Sequence, residues 1–287
     1  MEALKQILSP DFLLRNSVYT SVLVGFACPL VGVFLVLRRL VFMGVALPQI
    51  SSTGVAVALS LPVWLGMNVT SAENNAHALA FAGSTLFTLV AILILAFLER
   101  RGRGLAEGRL GTAYVVATAL SILLLSKNRV AEAGWLDLLK GEIITISNFD
   151  LTLTAVALAC VLVVLGLFSK ELLLVSFDRA MAATLGKSVL LWDALLYLLI
   201  GFTISVAVLS VGPLIAFGFL LIPPLTAHLF ARNMRQFVVL SSLIGGVGSF
   251  LGFWLAYQWD WPIGPTDVVL LGVIYALGFV MKKIFGR

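Results

Sequence analysis

Charge is what this chain has least of. Its 287 residues include only 19 Lys or Arg and 14 Asp or Glu, while 61% are hydrophobic. So little charge cannot cover a water-soluble surface, whereas helices in lipid satisfy their own backbone polar groups. The ~10-residue alternating segments of a membrane barrel are missing too, and an all-α integral membrane protein is expected. Histidine and cysteine are scarce, at two each. There is no His-Glu-x-x-His and no Cys-x-x-Cys, and His77 and His228 stand alone near span ends, where snorkelling or an interface role suffices. Cys28 and Cys160 both lie within apolar runs, which speaks against a structural disulfide. No basic run is interleaved with aromatics as a nucleic-acid groove requires, so the net charge of +5 reads as an inner-leaflet excess of Lys and Arg.

A phosphate-binding loop is also absent. Leu185-Gly186-Lys187-Ser188 has the tail of one, but Met181 stands where the loop needs its first Gly. Asp193 is the only acid near the interior of a late apolar run, and an intramembrane aspartyl protease needs two. These gaps argue against an enzyme and against a cofactor bound by this chain. No linker, low-complexity tract or charge block divides the sequence, so a single membrane domain over 1–287 is expected. Residues 1–13 are too short and too charged to span, and no small-residue cleavage site follows them. They are expected to form a retained amphipathic lead-in helix on the membrane surface.

What the chain has in abundance is apolar runs of spanning length. Five lie at 17–37, 46–67, 77–98, 109–125 and 151–168, and four at 190–210, 211–231, 237–257 and 267–281. At about 20 residues per span this predicts eight or nine transmembrane helices, with 211–231 the weakest because it carries Pro213, Pro223 and Pro224. Arg38-Arg39, Glu99-Arg100-Arg101 with Arg103, Arg179 with Lys187, Arg232 with Arg235, and Lys282-Lys283 all face the cytoplasm if the N-terminus is outside. Lys127, Arg129 and Lys140 are exceptions, offset by Glu132, Asp137 and Glu142. Trp254, Tyr257, Trp259 and Trp261 then form an outer aromatic belt, and 68–75 and 129–150 are the outward polar surfaces. Small residues recur every fourth position through 241–252, a pattern for close helix packing.

The interruption at 172–190, LLLVSFDRAMAATLGKSVL, is the most informative segment. Asp178, Arg179 and Lys187 would each cost about 2.5–3.5 kcal/mol at a bilayer centre, so the segment stands outside the lipid. A water-facing helix over 177–188 is expected, capped by Asp178 and ended by Gly186. Met181, Ala182, Leu185 and Val189 supply an apolar stripe able to dock on another protein.

Several stretches, in order and spacing, carry a family resemblance. They are Leu37-Arg38-Arg39 with Phe42-Met43-Gly44 and Gly54-Val55-Ala56; LLKGEIITISNFD at 138–150; Ser176-Phe177-Asp178 with Ala182 and Leu185-Gly186; and Val211-Gly212-Pro213-Leu214 leading to Leu220-Leu221-Ile222-Pro223 and Thr226-Ala227. Over almost its whole length the chain resembles the membrane permeases of the ABC-type manganese, zinc and iron importers, the ABC-3 family. The resemblance implies a type II ABC importer-like permease in a prokaryotic inner (cytoplasmic) membrane. It further implies a second copy of the chain, two ATP-binding subunits that use ATP and Mg, and an extracytoplasmic solute-binding protein. Phe177, Asp178, Arg179, Met181, Ala182, Leu185 and Gly186 become the expected ATPase-coupling residues.

The resemblance stops at the cargo ligands. Family members carry an Asp and a His four residues apart after the Phe-x-Gly step, on one helix face, as ligands for a divalent cation. Here those positions are Val45 and Gln49, and a second His common in the fourth span is replaced by the run Gly111-Thr112-Ala113-Tyr114-Val115-Val116-Ala117. Valine cannot ligate, and a neutral amide is a weak ligand for a transition metal. Gln49, Ser52 and Thr53 share a face of the second span, and Tyr114, Thr118 and Ser121 share one of the fourth. Two readings stand for these six: they hydrogen-bond a neutral or chelated solute, or they glue helices together. Pro48 frees a backbone carbonyl for the path or simply kinks the helix. The cargo is accordingly a divalent metal by resemblance, with a metal chelate or small organic solute as the alternative. A secondary transporter or channel is less favoured, because no acid pair or inverted repeat is seen.

Overall fold

The computed structural model describes residues 12, 14–64, 73–100, 106–125 and 146–285. In order these form α1 (Arg15–Leu37), α2 (Val41–Trp64), α3 (Glu73–Arg100), α4 (Ala106–Leu125), α5 (Asn148–Leu167), α6 (Ser169–Phe177), α7 (Arg179–Thr184), α8 (Val189–Val211), α9 (Pro213–Phe230), α10 (Met234–Trp259) and α11 (Ile263–Phe285). Among the described residues there is no strand. Eight helices are long and apolar enough to cross a membrane: α1, α2, α3, α5, α8, α9, α10 and α11. The ninth expected span, α4, has a shorter apolar stretch, Gly108–Leu124.

The doubt cast on 211–231 was misplaced. Pro213 occupies the first turn of α9, where its missing N–H costs nothing, and the helix runs on through Pro223 and Pro224 to Phe230. The expected lead-in 1–13 and most of the outward segments 68–75 and 129–150 lie outside the described residues. At the described end of the latter, Asn16 Nδ2 donates to the Ile146 carbonyl at 3.1 Å and to Asn148 Oδ1 at 2.9 Å, tying the start of α5 to the start of α1.

α1 is the centre of the bundle, packed against α2, α5, α8, α9 and α10. α11 packs on α9 and α10, while α2 is flanked by α3 and α4. Lipid tails are as apolar as leucine, so association rests on close approach and on polar contacts. The α1–α10 pair uses the first device: a Cβ on Gly25 would meet the Gly245 carbonyl oxygen at 2.8 Å. Buried hydroxyls supply the second. Ser51 and Ser84 pair at 2.6 Å, and Ser84 pairs with Ser205 at 2.8 Å, linking α2, α3 and α8. Ser21 and Ser249 pair at 2.7 Å beside Asp267, joining α1, α10 and α11.

Asp267 corrects one expectation. Asp193 is not the only buried acid of the late spans, because α11 begins at Ile263 and encloses Asp267 completely. The two acids nevertheless do not form a pair. Asp267 meets α1 at Ser21 and Asp193 meets the residue after α1 at Arg38, which at 1.5 Å per residue places them about 25 Å apart.

Candidate functional site: a coupling end and a neutral face

The interruption folds into two short helices rather than one over 177–188. Phe177 closes α6, and the water-facing helix proper is α7, six residues long. The break falls at Asp178 because its extended backbone and side chain serve the cap: Asp178 Oδ1 accepts from the Met181 N–H at 2.9 Å. At the other end Gly186 takes φ +73°, with its N–H on the Ala183 carbonyl and the Lys187 N–H on the Ala182 carbonyl. That is a paired C-terminal cap in the conformation glycine adopts most easily. The helix is shorter than expected, but its two capping residues, Asp178 and Gly186, are those the sequence indicates.

The apolar stripe divides in two. Ala182 is fully buried against the bundle, whereas Phe177, Met181 and Leu185 are 67, 53 and 59% exposed. Those three surround a helix flanked by Asp178, Arg179 and the Lys187–Glu171 ion pair at 3.6 Å. A cluster of large apolar side chains among charges, at the end of the bundle assigned to water by its Lys and Arg, is the anatomy of a protein-docking surface.

Behind α7 lies a node that sequence reasoning missed. Arg38, the residue after α1, donates from Nη1 to Asp193 Oδ1 at 2.6 Å and from Nε to Ser176 Oγ at 2.9 Å. Its guanidinium lies 5.9 Å from the centre of the Tyr197 ring. The Arg38 and Asp193 side chains are only 4 and 6% exposed. Arg179 of α7 approaches the other oxygen, Asp193 Oδ2, at 3.6 Å. A signal existed: an acid one turn inside an apolar helix demands a cation, and Arg38 and Arg179 lie on the same side of the membrane.

The six hydroxyl and amide residues of α2 and α4 separate into two groups. Thr53 and Ser121 are buried and bond each other at 2.8 Å, and Thr53 also donates to the Ala117 carbonyl at 2.9 Å. Ser52 is buried and donates to the Gln49 carbonyl at 2.8 Å. Gln49 and Thr118 are half-buried and Tyr114 is exposed, with the Thr118 hydroxyl on the Tyr114 carbonyl at 2.8 Å. Val45 and Gln49 are half-buried and Phe42 is exposed, and these three form the accessible stripe at the start of α2. The Gln49 side chain has no hydrogen bond to the described residues, whereas Thr53 and Ser121 have theirs within the protomer. Among the described residues no group of three His, Cys, Asp or Glu converges as metal ligands.

The bundle of spanning helices thus carries a short, capped helix with exposed apolar side chains at its charged end. Comparison with known proteins supplies the class. The ABC 3 transport family matches residues 11–282. The manganese import system permease protein ScaB of Streptococcus gordonii is 27% identical over 93% of this chain and 90% of its own length. A probable iron transport system membrane protein of Haemophilus influenzae is 26% identical over 100% of this chain and 95% of its own. The structure of PsaBC from Streptococcus pneumoniae in complex with Fab superposes with a TM-score of 0.81 at 26% identity, covering 97% of this chain and 94% of that one. The chain belongs to the ABC 3 transport family. It is a multi-pass membrane permease of the bacterial ABC importer type.

Proposed function

We propose that this permease imports a divalent transition metal as its substrate. It works as a single membrane domain paired with a second copy, above two ATP-binding subunits and below an extracytoplasmic solute-binding protein. The chain itself is non-catalytic: ATP and Mg are bound and used by the partner subunits, whose nucleotide cycle moves the dimer between outward-open and inward-open states. α7 is the contact for those subunits. The observation that carries the reading is the exposed trio Phe177, Met181 and Leu185 on and immediately beside a helix capped at both ends. Buried on docking, such side chains supply most of an interface's energy, while the charges at the rim supply little.

For the cargo, relatives named for manganese and iron support a metal. Val45 and Gln49 favour a second reading, in which the metal travels as a chelate or the solute is a small organic molecule. Gln49, Tyr114 and Thr118 are then the groups that meet it. Elemental analysis and mass spectrometry of the cognate binding protein, purified from cells, test both. Stoichiometric manganese, zinc or iron without an organic companion supports the bare metal; metal with an organic ligand, or the ligand alone, supports the second reading. A binding protein carrying neither overturns both.

A further inference from the structure

We propose that Asp193 is a positioning residue that transmits displacement of α7 to the turn between α1 and α2, through its contacts with Arg179 and Arg38. This rests on the reading of α7 as the ATPase contact. Arg179 is the side chain of α7 that reaches into the bundle as an ion, and it does so on Asp193 Oδ2 at 3.6 Å. The opposite oxygen holds Arg38 at 2.6 Å. Arg38 directly precedes the turn into α2, the helix whose open stripe carries Val45 and Gln49. One carboxylate therefore stands between the docking helix and the helix that faces the cargo.

Three features make this a moving joint rather than a rivet. The node places two guanidinium groups on one buried carboxylate, and Arg38 Nη2 has no hydrogen-bond partner among the described residues. Buried ion pairs are seldom the most stable filling of their space, and a partly satisfied one less so. The two contacts are unequal. Arg38 is buried and close, whereas Arg179 is 54% exposed and 1.0 Å farther from its oxygen, so a shift of α7 changes the sharing of the carboxylate before it breaks the Arg38 bond. The turn itself is strained. Arg39 stands at φ +57°, with its N–H on the Val36 carbonyl and the Leu40 N–H on the Leu35 carbonyl at 2.8 Å. Glycine is the usual residue in that capping conformation, and a side chain with a Cβ is disfavoured there. A strained turn beside an incompletely satisfied ion node is an element with more than one arrangement of similar energy.

The test needs no knowledge of the cargo. The permease carrying Cys28→Ala, Cys160→Ala and the reporter Val45→Cys is assembled with its ATPase subunits in nanodiscs. Modification of the reporter by a charged maleimide is timed with and without Mg-ATP and vanadate. With Asp193 present, trapping changes the rate by about tenfold, the size of coupling a discrete two-state element carries. Asp193→Asn removes that change, measured per ATP hydrolysed and per assembled complex, and Asp193→Glu restores part of it. Arg179→Gln, a substitution at a half-exposed position, reduces the change about threefold even if Asp193→Asn fails to assemble, and adds nothing further when both are combined. A role confined to stability would lower the melting temperature and leave the response of each assembled complex intact. An unaltered response in Arg179→Gln, or in assembled Asp193→Asn, overturns the inference while leaving the proposed function standing. A reporter that ignores nucleotide with Asp193 in place overturns both the α2 path and its relay.

Discussion

The two ends of α2 and α7 show opposite ways of using polarity in a membrane subunit. At the α7 end charge is concentrated: Arg38, Asp193 and Arg179 share one node, Lys187 pairs with Glu171, and Asp178 caps a helix of six residues. On the open stripe of α2 there is none, only Phe42, Val45 and Gln49. Buried ions are costly to leave unpaired, and in the proposed relay that cost ties the movement of one partner to the next. On the proposed path a neutral stripe does the reverse, holding a passing solute weakly enough to release it. The contrast predicts that disturbing the first region breaks assembly or folding, while disturbing the second alters what passes and little else.

The largest effect is expected from replacing Met181 and Leu185 together by Asp. Two exposed apolar anchors become carboxylates within a docking surface, each worth about 2 kcal/mol or more at an interface centre. Retention of the ATPase subunits on the immobilised permease should fall by at least about 100-fold, read by quantitative pull-down. Full retention and ATP-driven transport in this double variant would remove α7 from the interface. Next comes Arg38→Ala, which strips Asp193 of its 2.6 Å partner and should cost about 3 kcal/mol of stability, seen as a lower melting temperature in detergent.

A smaller, functional effect is expected at Gln49. If solute is the partner of its amide, Gln49→Leu lowers uptake several-fold and leaves the melting temperature of the dimer within about a degree, because no hydrogen bond to the described residues is lost. Normal uptake with a melting point several degrees lower would make Gln49 helix glue and dissolve the contrast between the two regions.

How much of this was legible beforehand follows from the range of each interaction. The spans could be read because hydropathy averages over about 20 residues, and the Asp178 and Gly186 caps because a cap is decided within a few residues of itself. The split of the stripe was not legible: neighbours Met181 and Ala182 differ only in which one faces the bundle. The Arg38–Asp193 bond joins residues 155 apart, and Thr53–Ser121 joins residues 68 apart. Spacing within one helix says nothing about either. Spacing within α2 and α4 indicates which polar residues neighbour one another along each helix, yet only the packed structure distinguishes the hydroxyls bonded within the protomer from the amide left open.

Thr53→Val removes hydroxyl bonds to Ser121 and to the Ala117 and Gln49 carbonyls while keeping the shape of the side chain. Polar contacts between membrane helices average about 0.6 kcal/mol, so the melting temperature should drop by roughly one to three degrees with uptake unchanged. A large loss of uptake at full stability would move Thr53 from the helix contact to the path.

The smallest expected effect is none at all, and it is the sharpest test of the neutral stripe. Val45 and Gln49 offer one amide oxygen where two strong ligands are needed, so manganese or zinc added to the purified permease should leave its melting temperature unmoved at about micromolar free metal. Installing the missing pair as Val45→Asp with Gln49→His places a carboxylate and an imidazole one turn apart on the half-buried face of α2. That double variant should gain a metal-dependent shift, since free metal at about 100 times Kd adds roughly 2.7 kcal/mol. If the unmodified permease already binds a stoichiometric metal that Gln49→Ala removes, the stripe is a metal site of unusual composition and its neutrality is only apparent. If neither form responds, the pair is misplaced for coordination within one protomer, and a ligand set completed across the dimer becomes the question to measure.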